Sequence, residues 1–192
     1  MPKILISSLI VLNIIACDSK SLSDFEKSKM IYNSNKEEII SLGNAFFNQN
    51  TCVTISRFDS NGIDLPFGGA VLYNISSADD NYFSIILTGL SVDDEIKFWN
   101  TSFREIYDRN SNQSLFDIAS KSKIDTILIR TSLQFLIKTK VRLINKAPDA
   151  KTVHFDFSDD NGIVYYPLLD YHSTYDEKGW KLDDHWYYFE HK

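Results

Sequence analysis

The chain has 192 residues, 43% of them hydrophobic and 14% aromatic, with a formal net charge of −6. That length and apolar content support one ordinary domain with a real core and exclude a disordered polyelectrolyte. The acidic balance disfavours nucleic acid as a partner, and two cysteines, Cys17 and Cys52, are too few for a disulfide framework.

The chain opens with one base, Lys3, and an apolar stretch over 4–16 broken only by Ser7, Ser8 and Asn13. A helix of that stretch reaches only ~20 Å, against the ~30 Å hydrocarbon core of a bilayer, so it is too short to span. A basic start, an apolar centre and a small residue before a cut have the anatomy of a secretory signal. The stretch ends in Ile14-Ile15-Ala16-Cys17 and turns polar at once with Asp18-Ser19-Lys20. This resembles the lipobox of bacterial lipoproteins, with Ile14 where leucine is more common. The resemblance implies removal of residues 1–16, acylation of Cys17, a lipid-anchored tether over 17–24 and a single globular domain over 25–192. Two or more acyl chains give stable anchoring where one does not. The resemblance also makes Asp18 a sorting residue, favouring the periplasmic side of the inner membrane over the outer membrane. The alternative is an ordinary signal cleaved after Ala16, leaving Cys17 a free thiol.

Helical signals follow the tether. Ser23 with Glu26, and Ser34 with Glu37, read as capping boxes, and Ile39, Ile40, Leu42, Ala45, Phe46 and Phe47 recur at helical spacing. One helix broken near 33–35, or two helices, fits this run, which ends at 48–50. Strands are expected at 51–58, 69–75 and 82–89, joined by a loop at 60–66 and a turn at 78–81, as an antiparallel meander. Cys52, inside the first strand, reads as a buried structural thiol. Ser91 caps a helix whose Asp93, Asp94 and Glu95 favour its dipole, and Ile96, Trp99, Phe103, Ile106 and Tyr107 carry it to about Asp108. A short helix is expected at 115–121.

Strands are then expected at 126–130 and 133–146. In the second, Phe135, Ile137, Val141 and Leu143 share one face and Lys138, Lys140 and Arg142 the other. With a turn at 147–150 and Val153, Phe155 and Phe157 facing inward, this register sets Lys140 opposite Asp156 and Arg142 opposite His154. Asp159-Asp160-Asn161-Gly162 signals another hairpin, and 163–169 and 179–189 supply the last strands. The fold class is α+β, with helices packed on a curved, mainly antiparallel β-sheet. The closing strand with Gly179-Trp180-Lys181-Leu182 loosely resembles the end of nuclear-transport-factor-2-like domains.

Charge is uneven along the chain. Residues 121–146 hold seven bases and one acid, Asp125, whereas 147–192 hold ten acids and four bases. Opposite blocks pair within a fold, or leave an acidic face for a basic partner. Near the end, Trp186 and Tyr188 alternate with Tyr187 and Phe189, so one pair lines the core. The other either stands on the surface beside Asp183, Asp184 and Glu190 or is covered where the sheet is buried on both faces. Asp183, Asp184, Trp186, Tyr188 and Glu190 are therefore the candidate partner-binding residues. The chain has four histidines, of which His154 shares a strand face with Asp156, and His185 follows two aspartates. There is no HExxH, paired CxxC, GxSxG or phosphate-binding glycine loop, so no catalytic residue, metal ligand or cofactor is assigned. The expected function is a membrane-anchored periplasmic lipoprotein that binds a basic protein, such as an immunity protein against a toxin from competing bacteria. An accessory lipoprotein of envelope assembly or transport is the alternative, and a lipoprotein hydrolase the third reading.

Overall fold

The structure, a computed structural model, describes residues 22–49, 51, 53–59, 69–77, 81–139, 141–146, 151–167 and 178–190. Cys17, Asp18, Cys52, the 60–66 loop and the 147–150 turn lie outside the described residues. No helix among the described residues is long and apolar enough to cross a membrane.

Helix α1 (Asp24–Ser34) opens with the expected capping box. The Ser23 hydroxyl accepts from the Glu26 amide at 3.2 Å, and the Glu26 carboxylate accepts from the Ser23 amide at 2.9 Å. Asn35 closes α1 and begins α2 (Lys36–Asn48), so the run is two helices. Ser34 is the last residue of α1 and does not cap α2, which starts from Asn35 without a side-chain cap.

Strands β1 (Val53–Asp59), β2 (Ala70–Ser77) and β3 (Tyr82–Thr88) form the expected antiparallel meander. Helix α3 (Val92–Trp99) is capped by Ser91, whose hydroxyl accepts from the Asp94 amide. It stops at Trp99, short of the expected end near Asp108; Phe103 and Ile106 reach the core from the turns that follow. Helix α4 (Leu115–Lys121) stands where expected, with Ser114 as its cap.

The largest correction is α5 (Thr126–Thr139), a fourteen-residue helix where two strands were expected. Its buried residues, Leu128, Ile129, Ser132, Leu133, Phe135, Leu136 and Ile137, cover more than one face. A segment apolar on most sides fits a period of two about as well as one of 3.6, and length arbitrates for the helix. Its hydroxyls turn inward along the chain: Ser132 donates to the Leu128 carbonyl at 2.7 Å and Thr139 to the Phe135 carbonyl at 2.7 Å.

Because α5 runs to Thr139, the next strand, β4 (Leu143–Lys146), is short. It pairs with β5 (Val153–Asp156) so that Leu143 faces Asp156 and Asn145 faces His154. The expected pairing of Lys140 with Asp156 and Arg142 with His154 is thus displaced by three residues. An odd displacement exchanges faces, so Ile144 points to the helices and Leu143 away. Arg142 instead pairs with Asp159 at 3.0 Å. A hairpin leads into β6 (Asn161–Tyr165) as expected, but its turn lies at 157–160, and Asn161 and Gly162 already belong to the strand, with Gly162 opposite Asp156. The single closing strand resolves into β7 (Lys181–Asp183), a turn at Asp184-His185, and β8 (Trp186–Glu190). The long final strand behind the nuclear-transport-factor-2-like resemblance is therefore two short ones.

The described strands form one antiparallel sheet in the order β3-β2-β1-β4-β5-β6-β8-β7, and it is not closed. The helices lie on one face: α1 against β6 and β8, α2 against β4 and β5, α5 against β1, and α4 against β3. Residues alternate accordingly, with Val53, Ile55, Tyr73, Ile75, Phe83, Ile144, Phe155 and Ile163 joining the helical side chains in one core. A smaller cluster of Val164, Tyr187 and Phe189 is buried on the opposite face. The fold is α+β with helices packed against an antiparallel sheet.

Candidate functional site

The acidic corner singled out in the sequence is built by the end of β7, the turn after it and β8. His185 takes φ 64° in that turn, a left-handed conformation that folds β8 back on β7. Asp183 is tied inward. Its carboxylate pairs with Lys36 of α2, and accepts from the Asp184 amide at 2.8 Å and from the Tyr32 hydroxyl at 3.2 Å. The Lys36 contact first, then the Asp184 amide and Tyr32, hold this carboxyl below its ordinary range. Asp184 stands in solvent at 89% side-chain exposure with Lys181 3.5 Å away.

Trp186 and Tyr188 are not surface residues. They are 2% and 0% exposed, which removes them from any partner-binding face. Trp186 stacks on Tyr165 at 4.7 Å between Tyr32 and Phe155, and Phe25 of α1 meets the edge of Tyr188 at 5.4 Å. Tyr188 donates to Glu190 at 2.7 Å, and burial, then Glu190 and Asp24, push its pKa up. Tyr187 and Phe189 are buried as well, so the sheet here is covered on both faces. Of the five candidates, Asp183, Asp184 and Glu190 remain partly or wholly accessible.

The two histidines among the described residues, His154 and His185, do not come together. His154 on β5 lies 3.3 Å from the Thr152 hydroxyl and edge-on to Phe189 at 5.3 Å, while His185 sits in the turn before β8. Strand β6 separates β5 from β8, so about 10 Å of sheet lies between them. Among the described residues no three His, Cys, Asp or Glu side chains converge on a metal-sized point.

The structure adds a charged centre absent from the sequence reading. Arg57 on β1 points to the helix face, two residues beyond the buried Ile55, and is 8% exposed. Its Nε and Nη2 donate to the two carboxylate oxygens of Glu95 at 3.1 Å each, and Nη1 lies 2.8 Å from Asp59. Tyr73 donates to Glu95 as well. Burial disfavours the Arg57 charge, but the hydrogen bonds it donates to Glu95 and Asp59 outweigh that and raise its pKa; burial and Glu95 raise that of Tyr73. Glu95, counted in the sequence as a helix-dipole acid, is therefore an internal counter-ion. Beside it, Arg57, Asp59, Arg142, Phe58 and Phe157 line a cleft of about 270 Å³, with the Arg142 guanidinium over the Phe58 ring at 5.1 Å. Asp59 and Asp159 balance the two arginines there, so the cleft carries no net positive field.

No protein-family model, curated protein or solved structure matches this chain.

A second depression, of about 300 Å³, runs between α2 and α5 with an apolar floor that includes Leu42 and Leu128. Ile127 stands on its wall at 72% exposure, the highest among the exposed large hydrophobic side chains. Charge in the molecule is sorted by depth. Buried Arg57 is neutralised from inside, whereas the Asp93, Asp125, Asp160 and Asp184 side chains are exposed.

Proposed function

We propose that this protein is a lipid-anchored protein-binding module of the cell envelope, held at Cys17, and that it acts as an immunity protein by occupying a basic toxin. The observation that carries this reading is the sorting of charge by depth. Among the described residues Arg57 and Glu95 cancel inside and Asp108, held by backbone amides, is the one further buried charge, while Asp93, Asp125, Asp160 and Asp184 stand outside, on a scaffold rigidified by one core. A basic partner is attracted to such an exterior at rates that fall with salt. Arg57, Glu95 and Tyr73 hold the scaffold in this account, and the histidines have no role in it.

A pull-down from periplasmic extract with the anchored chain tests this. One basic protein captured in equal amount, and lost as salt rises, is the expected result. Capture of several large envelope proteins instead would favour the assembly reading. Replacing His154, Asp156 and His185 by alanine should leave capture intact; loss of function in a folded variant would turn the case toward an enzyme. Cys17→Ser should release the chain from membranes. An unmodified amino terminus by mass spectrometry would overturn the anchored reading.

A further inference from the structure

The groove between α2 and α5 has the shape and charge of a helix-binding surface, and we infer that it receives about two turns of a basic amphipathic helix from the partner. This rests on the protein-binding reading above and names the surface that serves it. One wall is a helical stripe on α2, Ser41, Leu42 and Ala45, and the other is Ile127, Leu128 and Thr131 on α5. Positions three and four apart lie on one face of a helix, so the two stripes form parallel banks with a valley between them. A rod fits such a valley, and side chains at matching spacing on that rod fill it. The cavity of about 300 Å³ is at the small end of the range for binding pockets, which suits a few anchoring side chains and not a large ligand.

The charges at the rim fix the sign of the guest. Glu38 reaches Lys138, near the end of α5, at 3.1 Å, whereas Asp125 immediately precedes α5. The helices therefore run in opposite directions; Glu38 is neutralised by Lys138 at its end of the valley, and the unbalanced charge at the rim is the Asp125 carboxylate at the other. Asp125 accepts from the Ile127 amide at 2.8 Å and has no ion-pair partner among the described residues. An aliphatic stripe flanked by lysine or arginine would cover Ile127 and place a cation near Asp125; an acidic helix would meet repulsion there.

The test uses the purified folded chain and two short helical peptides, one of leucine and lysine, the other of leucine and glutamate. Amide shifts by NMR should move on α2 and α5 with the lysine peptide alone, and Ser41→Arg or Ile127→Lys should weaken binding about tenfold. Tyr107→Lys, at an exposed apolar residue elsewhere, should leave it unchanged. Equal binding of both peptides, no binding, or shifts elsewhere would overturn the inference. The same variants then separate it from the broader reading. If the captured basic partner is lost with Ser41→Arg and Ile127→Lys, the groove is its seat. If both variants keep the partner, the groove proposal fails and protein binding stands; if the wild-type chain captures none, the function reading itself fails.

Discussion

Arg57 on β1 and Glu95 on α3 form a two-pronged ion pair, both prongs 3.1 Å long, with side-chain exposures of 8% and 4%. The pair fastens α3 to the meander; without it Glu95 would keep only the Tyr73 hydroxyl, and buried Arg57 only Tyr73 and the half-exposed Asp59. Removing one partner of a buried pair costs about 3–5 kcal/mol, while replacing both by well-packed apolar residues is often close to neutral. Glu95→Leu alone should therefore lower the urea-unfolding free energy by about 3 kcal/mol. Arg57→Met with Glu95→Leu should recover most of that loss. A double variant no better than the single would show that Tyr73 and Asp59, not the mutual attraction, govern the site.

Gly43 on α2 sits where a Cβ would come 2.8 Å from two ring atoms of Trp186. Alanine improves helix propensity by about 1 kcal/mol, but overpacking a core costs about 1–3 kcal/mol. Here the ring is held by Tyr165 stacked at 4.7 Å and by Phe155 and Tyr32 at 5.6 Å each, so it has no room to yield. Gly43→Ala should lower the thermal midpoint, with a net loss of about 2 kcal/mol, and quench or shift the Trp186 fluorescence. An unchanged midpoint would mean that α2 can lift from the sheet.

The elements most legible in the sequence are those with a cap or a turn to mark them. Ser23 with Glu26 and Ser91 each place a helix start, and the alternation of Val53 and Ile55 places β1, because a local hydrogen bond or a period of two decides them; the same signal at Ser34 and Glu37 misled, since Ser34 is the last residue of α1. Helix α5 was illegible for the opposite reason. It is buried on several sides, so its apolar residues no longer record the period, and β-branched Ile127, Ile129 and Ile137 read as strand. At the candidate site, Asp183, Asp184 and Glu190 were visible as charges, but the burial of Trp186 and Tyr188 depended on α1 and α2 covering β8, a long-range contact no local pattern encodes. Arg57 was within reach: its parity with Ile55 puts a charge on the buried face, which demands a counter-ion.

The two halves of the acidic corner should separate cleanly under substitution. Trp186 is 2% exposed and touches three rings, so Trp186→Ala should cost about 3–5 kcal/mol and leave the domain partly unfolded by circular dichroism. Asp184, with an 89% exposed side chain, should tolerate alanine within about 0.5 kcal/mol. If Asp184→Ala keeps the fold but weakens capture of a basic partner, that residue belongs to the binding face. A folded, stable Trp186→Ala variant would contradict the packing described here.

Asp108 guards the open edge of the sheet and should set part of its acid sensitivity. Its carboxylate accepts from the amides of Ser84 at 2.7 Å, Asn110 at 2.8 Å and Ser111 at 2.6 Å, and the Arg109 amide donates to the Ser84 carbonyl at 2.9 Å. Both outward groups of Ser84 on edge strand β3 are thereby occupied, which blocks pairing with another chain at that point. Burial raises the Asp108 pKa, but the amide hydrogen bonds outweigh it and the net shift is downward. A carboxylate with a lowered folded pKa contributes stability above its unfolded value, about 3.9, and loses it as pH falls through the folded value. Asp108→Ala should therefore cost about 2–3 kcal/mol at neutral pH, flatten the decline in stability below about pH 4, and increase self-association as the edge opens. Urea titrations across pH, with light scattering on the same samples, read all three. Asp183 is shifted the same way, so part of the acid decline should survive the substitution. A variant whose pH profile matches the parent would show that the Asp108 carboxylate is not what secures β3.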